Sequence, residues 1–168
     1  MPELPSGTVT FCFTDIEGST RLFQQLGDRY PDLLAEHHRI LRDVFGANDG
    51  AEIKTEGDSF FVAFSSARDA VAACLDVQRR LTAHPWPDGV VIRVRIGLHT
   101  GEATPVDGDY VALAVHRAAR IEAAAHGGQT LVSAATASLL DSSVSGTPGA
   151  SGSTIAITEK PPTAAPAG

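Results

Sequence analysis

The sequence predicts an α+β sandwich of the ferredoxin-like, split-βαβ kind, with a mixed sheet, a central hairpin and helices packed on it. Two observations carry this. Strand-like runs and helix-period runs alternate through residues 8–140. Two strand-like runs, "EIKT" and "SFFVAF", are separated only by the turn "EGD", so part of the sheet must be antiparallel. A doubly wound parallel sheet would need a crossover at that point.

Each element has its own signal. Residues 1–7 form a Pro-containing leader expected to be flexible. "TVTFCFT" (8–14) is β-branched and aromatic, as a buried strand is. "EGSTRLFQQLG" (17–27) reads as a short helix. Residues 30–48 place Leu33, Leu34, His37, Ile40, Leu41, Val44 and Phe45 on one helical face, with Gly46 or Asn48 as the stop. Residues 51–64 form the hairpin. Residues 65–84 read as an Ala-rich amphipathic helix, capped by Ser65 or Ser66 and stopped by Pro85. "GVVIRVRIGLHTG" (89–101) alternates Val94 and Ile96 with Arg93 and Arg95, as a half-buried strand does. Residues 109–128 read as a helix closed by Gly127 and Gly128, and "QTLVSAATASLL" as a short strand and small helix. From Asp141 to Gly168 a Ser/Gly/Pro-rich tail is expected, with a candidate edge strand at 153–160.

Composition narrows the function. The chain has 168 residues, enough for one domain with a real core, and 43% of them are hydrophobic. Its net charge of −7 argues against nucleic acid or an anionic membrane held by bulk charge. Cys12 and Cys74 lie in apolar runs and read as buried, reduced thiols, not as a disulfide scaffold. The N-terminus lacks the apolar core of a signal peptide, and no run approaches a membrane span, so a cytoplasmic protein is expected. His37, His38, His84, His99 and His126 lack metal-ligand spacing and read as structural.

"FCFTDIEGST" places a carboxylate, Asp15, at the tip of a buried strand ahead of a small-residue turn. In the expected fold this strand lies beside the hairpin, whose turn holds Asp58. Two convergent carboxylates with a backbone carbonyl suit Mg²⁺ or Mn²⁺. The turn that follows offers backbone N–H groups ahead of a helix, which suits anionic oxygens. The residues alone also allow a plainer reading, in which Asp15 is a cap and Asp58 a turn residue.

The motifs "FTDIEGSTRL", "KTEGDSFFVAF", "IGLHTGE" and "DYVALAVHRAARI" together resemble the class III nucleotidyl cyclase catalytic domain, of the bacterial adenylate cyclase type. They occur in that family's order and cover roughly residues 8–140, the expected catalytic domain. The resemblance implies that Asp15 and Asp58 bind two divalent cations, Mg²⁺ or Mn²⁺, with help from the Ile16 carbonyl. It implies that Gly18, Ser19 and Thr20 contact phosphates, and that Lys54 and Asp109 read the purine. Arg120 matches the arginine that stabilises the transition state. His116 stands where the family most often has an asparagine that orients the ribose. The implied activity is conversion of ATP to 3′,5′-cyclic AMP and pyrophosphate. The implied partner is a second copy, head to tail, with each site shared between chains.

The purine pair has a physical rationale. Adenine presents an acceptor at N1, which Lys54 can meet, and a donor at N6, which Asp109 can accept. Guanine reverses that pattern and sets O6 against the carboxylate. Some features depart from the family. Besides His116, Ala112 stands where a glycine is usual. Beyond Leu140 only Lys160 is basic, where the family usually has a strand pair with a phosphate-binding residue. The alternative reading is a catalytically weak or inactive cyclase-derived regulatory module. A diguanylate cyclase is disfavoured, because "TEGDSF" lacks a "GGDEF"-type turn.

Overall fold

The computed structural model describes residues 3–140 and 154–158. Along the chain run β1 (Gly7–Ile16), α1 (Ser19–Leu26), α2 (Tyr30–Ala47), β2 (Ala51–Glu56), β3 (Ser59–Phe64) and α3 (Ala67–Ala83). β4 (Val94–Ala103), α4 (Leu113–Ala124), β5 (Gln129–Ser133), α5 (Ala134–Ala137) and β6 (Thr154–Thr158) follow. The strands form one sheet in the order β2-β3-β1-β4-β5-β6. The first four strands pair antiparallel, and β5 and β6 add on in parallel. This is the expected α+β sandwich with a mixed sheet and a central hairpin.

The sheet is covered on both sides. Along β1, Cys12 and Ile16 face the core built with α1, α2 and α3, while Val9 and Phe11 face the core built with α4. β3 splits in the same way, with Phe60, Val62 and Phe64 on one face and Phe61 and Ala63 on the other. Burial on both faces explains why these strands read as continuous apolar runs. It also corrects the reading of β4 as half-buried. Val94, Ile96 and Leu98 do face the main core, but the opposite face lies under α4 rather than water.

Two glycines set how closely α4 approaches. A Cβ at Gly97 would lie 2.2 Å from the backbone nitrogen of Glu122, and one at Gly101 would lie 2.7 Å from the Ala114 Cβ. Ala118 is buried in the same contact. Its small size therefore serves packing within the chain.

Local signals account for the boundaries. Ser66 caps α3 by accepting from the Asp69 N–H, and Asn48 ends α2. Gly57, at φ 56°, opens the hairpin turn. The helix expected at 109–128 is shorter, Leu113–Ala124. Asp107 and Gly108 take positive φ and close a turn in which Val106 and Asp109 bridge, so Asp109 precedes the helix. Ala112 is extended (φ −150°, ψ 152°), a conformation any residue adopts, so alanine fits where glycine is usual.

In the expected leader, Leu4 packs against the α4-side core and the Pro5 carbonyl accepts from the Tyr110 hydroxyl. Of the candidate edge strand, Thr154–Thr158 is β6, and the rest of the tail lies outside the described residues. The Cys12 and Cys74 thiols lie 3.6 Å apart, both buried and unbridged. Among the described residues, no helix is long and apolar enough to cross a membrane.

Candidate active site

The C-terminal end of β1 gathers charge. The Asp58 carboxylate, presented by the β2–β3 turn, accepts from the backbone N–H of Ile16 at 2.6 Å. This seats Asp58 beside the strand end that carries Asp15. Arg95 lies directly across from Asp15 in the β1–β4 register. Its Nε donates to Asp15 Oδ1 at 2.7 Å and its Nη2 to Oδ2, a fork on both carboxylate oxygens. Glu122, from α4, completes the group, with Oε1 3.6 Å from Arg95 Nε.

Two carboxyl groups, those of Asp15 and Glu122, thus flank one guanidinium, with Asp58 held at the neighbouring Ile16. Burial pushes the Glu122 carboxyl up to about 8, helped by a hydrogen bond with Asp15 and by the negative charges of Asp15 and Asp58. The excess of carboxylate is the electrostatic setting a cation relieves. Among the described residues no group of three or more His, Cys, Asp or Glu is arranged to hold a metal ion. By their chemistry, two carboxylates and a carbonyl suit a hard ion that keeps open positions for water and phosphate oxygens. Asp15, Asp58 and Ile16 fit such an ion by donor chemistry.

The turn after β1 is built around Gly18, whose φ of 71° explains the glycine, since a Cβ there would meet nothing. Helix α1 starts at Ser19 with no side-chain cap, and Leu22 is the residue whose N–H reaches back to the Gly18 carbonyl. The first-turn N–H groups, from Ser19 on, have no intrahelical acceptor. The Glu17 N–H, which the sequence suggested as another free donor, is taken by the Arg93 carbonyl at 2.8 Å.

Lys54 and Asp109, distant in sequence, come together. Lys54 follows a register shift in β2, and its Nζ lies 4.0 Å from Asp109 Oδ2. Asp109 is held by the Val106 bridge and accepts from the Tyr110 N–H. Both side chains line a cleft of about 320 Å³ with Phe13, Phe61, Tyr110 and Val115. Tyr110 stacks on Phe61 at an interplanar angle of 9°. An aromatic-walled cleft with one donor and one acceptor at its side can hold a flat heteroaromatic ring.

His116 and Arg120 lie one turn apart on α4 and are exposed. Neither lines the cleft, and neither has a hydrogen bond or ion pair among the described residues. The structure therefore brings Asp15 to Asp58 and Lys54 to Asp109, but leaves His116 and Arg120 apart from both pairs within one chain.

Sequence reasoning missed Arg95, Glu122 and Tyr110. Arg95 had been read only as the polar phase of an alternating strand. Its position in "RVRIG", opposite a strand ending in aspartate, was the available signal.

Residues 1–153 match the family model described as the adenylate and guanylate cyclase catalytic domain. An uncharacterized protein of Mycobacterium tuberculosis is 40% identical over 138 residues, which is 81% of this chain and 46% of that protein. An adenylate cyclase of Lachancea kluyveri is 35% identical over 159 residues, which is 79% of this chain and 9% of that one. The chain thus spans less than half the length of these relatives. A solved structure of an adenylate cyclase from Trypanosoma brucei, in its monomeric state, superposes with a TM-score of 0.76 at 30% identity, covering 84% of this chain and 80% of that one. With its sheet order and clustered motif residues, the chain belongs to the class III adenylate and guanylate cyclase catalytic domain family.

Proposed function

We propose that this chain is an adenylate cyclase that converts ATP to 3′,5′-cyclic AMP and pyrophosphate, at two equivalent sites shared between two copies arranged head to tail. The observation that carries the ATP reading is the Lys54–Asp109 pair at the wall of an aromatic cleft. Lys54 donates to adenine N1 and Asp109 accepts from N6. Guanine would set its O6 against the Asp109 carboxylate.

The ribose 3′-oxygen attacks the α-phosphorus of the same nucleotide, and pyrophosphate leaves. Asp15 and Asp58, with the Ile16 carbonyl, would hold Mg²⁺ or Mn²⁺. Bound there, such ions lower the pKa of the 3′-hydroxyl and offset phosphate charge. Gly18, Ser19 and Thr20 hold phosphate oxygens at the start of α1. Arg120 meets charge that develops on the α-phosphoryl group. His116 donates a hydrogen bond that orients the ribose, in place of the usual asparagine. Among the described residues His116 and Arg120 are exposed and unpaired, which supports a site completed by a second copy.

Incubating the purified protein with Mn²⁺ and either ATP or GTP tests this. Cyclic AMP from ATP, with much less cyclic GMP from GTP, is expected. No cyclic nucleotide from either would favour the regulatory-module reading, and a preference for GTP would reject the purine assignment.

A further inference from the structure

We propose that Arg95 is a built-in counter-cation of the metal site, which holds Asp15 in the metal-free protein and moves to Glu122 when a divalent cation binds. This rests on the reading of Asp15 and Asp58 as metal ligands.

Three observations point to it. First, Arg95 engages both oxygens of Asp15, so the carboxylate offers itself to a cation only against the guanidinium charge. Direct cross-strand pairing of the two residues makes this contact a product of sheet register, not of a flexible loop. Second, an alternative seat is already in place. Glu122 Oε1 is buried, has no hydrogen-bond partner among the described residues, and lies 3.6 Å from Arg95 Nε. A buried acceptor without a donor is costly, and a small shift of the guanidinium satisfies it. Third, Glu122 cannot easily come to Arg95. Its backbone is pressed onto β4 at Gly97, where even a methyl group has no room. Arg95, on a long and partly exposed side chain, is the part free to move.

Before the exchange, Asp15 pairs with Arg95 and Glu122 Oε1 has no hydrogen-bond partner among the described residues. After it, the cation lies between Asp15 and Asp58, and Arg95 pairs with Glu122. Metal affinity of the nucleotide-free protein is therefore set below what the two aspartates alone would give.

The test is a Mn²⁺ titration without nucleotide, followed by the electron paramagnetic resonance signal of free Mn²⁺. Wild type, Arg95→Gln, Arg95→Lys, Glu122→Leu, the Arg95→Gln/Glu122→Leu double variant and Asp15→Asn are compared, with circular dichroism to check folding. Arg95→Gln should bind roughly ten-fold more tightly than wild type, since a charge-assisted contact no longer competes. Arg95→Lys, which keeps the charge but loses the fork, should fall between them. Glu122→Leu, which removes the acceptor, should weaken binding several-fold in wild type and have much less effect beside Arg95→Gln, since the two residues act as a pair. Equal or weaker binding by Arg95→Gln, or the same Glu122→Leu effect in both backgrounds, would overturn the proposal. If Asp15→Asn leaves wild-type Mn²⁺ binding unchanged, the metal reading itself fails, and the exchange with it.

Discussion

Asp58 is tied to Ile16, not to its own hairpin: its carboxylate accepts from the Ile16 backbone N–H at 2.6 Å. The contact joins the β2–β3 turn to the end of β1 and sets Asp58 beside Asp15. Replacing Asp58 by Ala leaves that N–H unpaired, at a cost of about 1–2 kcal/mol, partly offset by relief of repulsion among the carboxylates. The expected result is a modest fall in Tm and loss of cyclic AMP synthesis. Asp58→Asn keeps an acceptor for Ile16, so it should keep the Tm but still lose turnover. Metal-stimulated turnover in either variant would contradict the assignment.

The purine pair predicts a change in nucleotide preference. In Lys54→Glu/Asp109→Ala, the adenine N1 acceptor meets a carboxylate, and N6 loses its acceptor. The ratio of kcat/KM for ATP over GTP should fall by at least about ten-fold, the scale of one lost hydrogen bond in a site. Both side chains are half exposed, so stability should change little. An unchanged ratio would mean that the purine is read elsewhere.

His37 predicts how stability depends on pH. It is fully buried on α2, both ring nitrogens lack hydrogen-bond partners among the described residues, and its ring packs against Phe60 and His38. Burial, and less so the neighbouring His38, lowers its pKa from 6.5 to about 3. The unfolded chain therefore takes up a proton between pH 6.5 and about 3 that the folded chain refuses. Stability is full above pH 6.5 and falls as the pH drops through that window. At pH 5.5 this one group costs about 1.4 kcal/mol, for a ten-fold excess of the protonated form in the unfolded chain. The wild-type denaturant midpoint should fall relative to that of His37→Phe as the pH drops from 7 to 5. Parallel curves would show that His37 does not set the acid limb.

The sheet and the two aspartate-bearing turns were legible because each rests on a contiguous signal. "FTDIEGST" and "TEGDSF" carry strand, turn and carboxylate within a few residues, and the hairpin forces Asp58 next to β1. What depended on register was not legible. Alternation in "RVRIG" gave the phase of Arg95 but not its partner, because only pairing of Asp15 with Arg95 joins them. Glu122 was hidden in the same way, since its place over β4 depends on the contact at Gly97. The start of α4 was misread although Asp107-Gly108 is a turn signal, because the helical pattern on either side of Ala112 looked continuous.

The central claim, an ATP-cyclising site shared between two chains, is tested most directly by complementation. Asp58→Ala and Arg120→Ala should each be nearly inactive alone. If one chain supplies the aspartates and the other Arg120, a mixed dimer has one doubly broken site and one intact site. Random mixing of equal amounts makes half the dimers mixed, so cyclic AMP synthesis should return to roughly a quarter of wild type after co-expression or co-refolding. No recovery, with mixed dimers shown to form, would contradict the shared site.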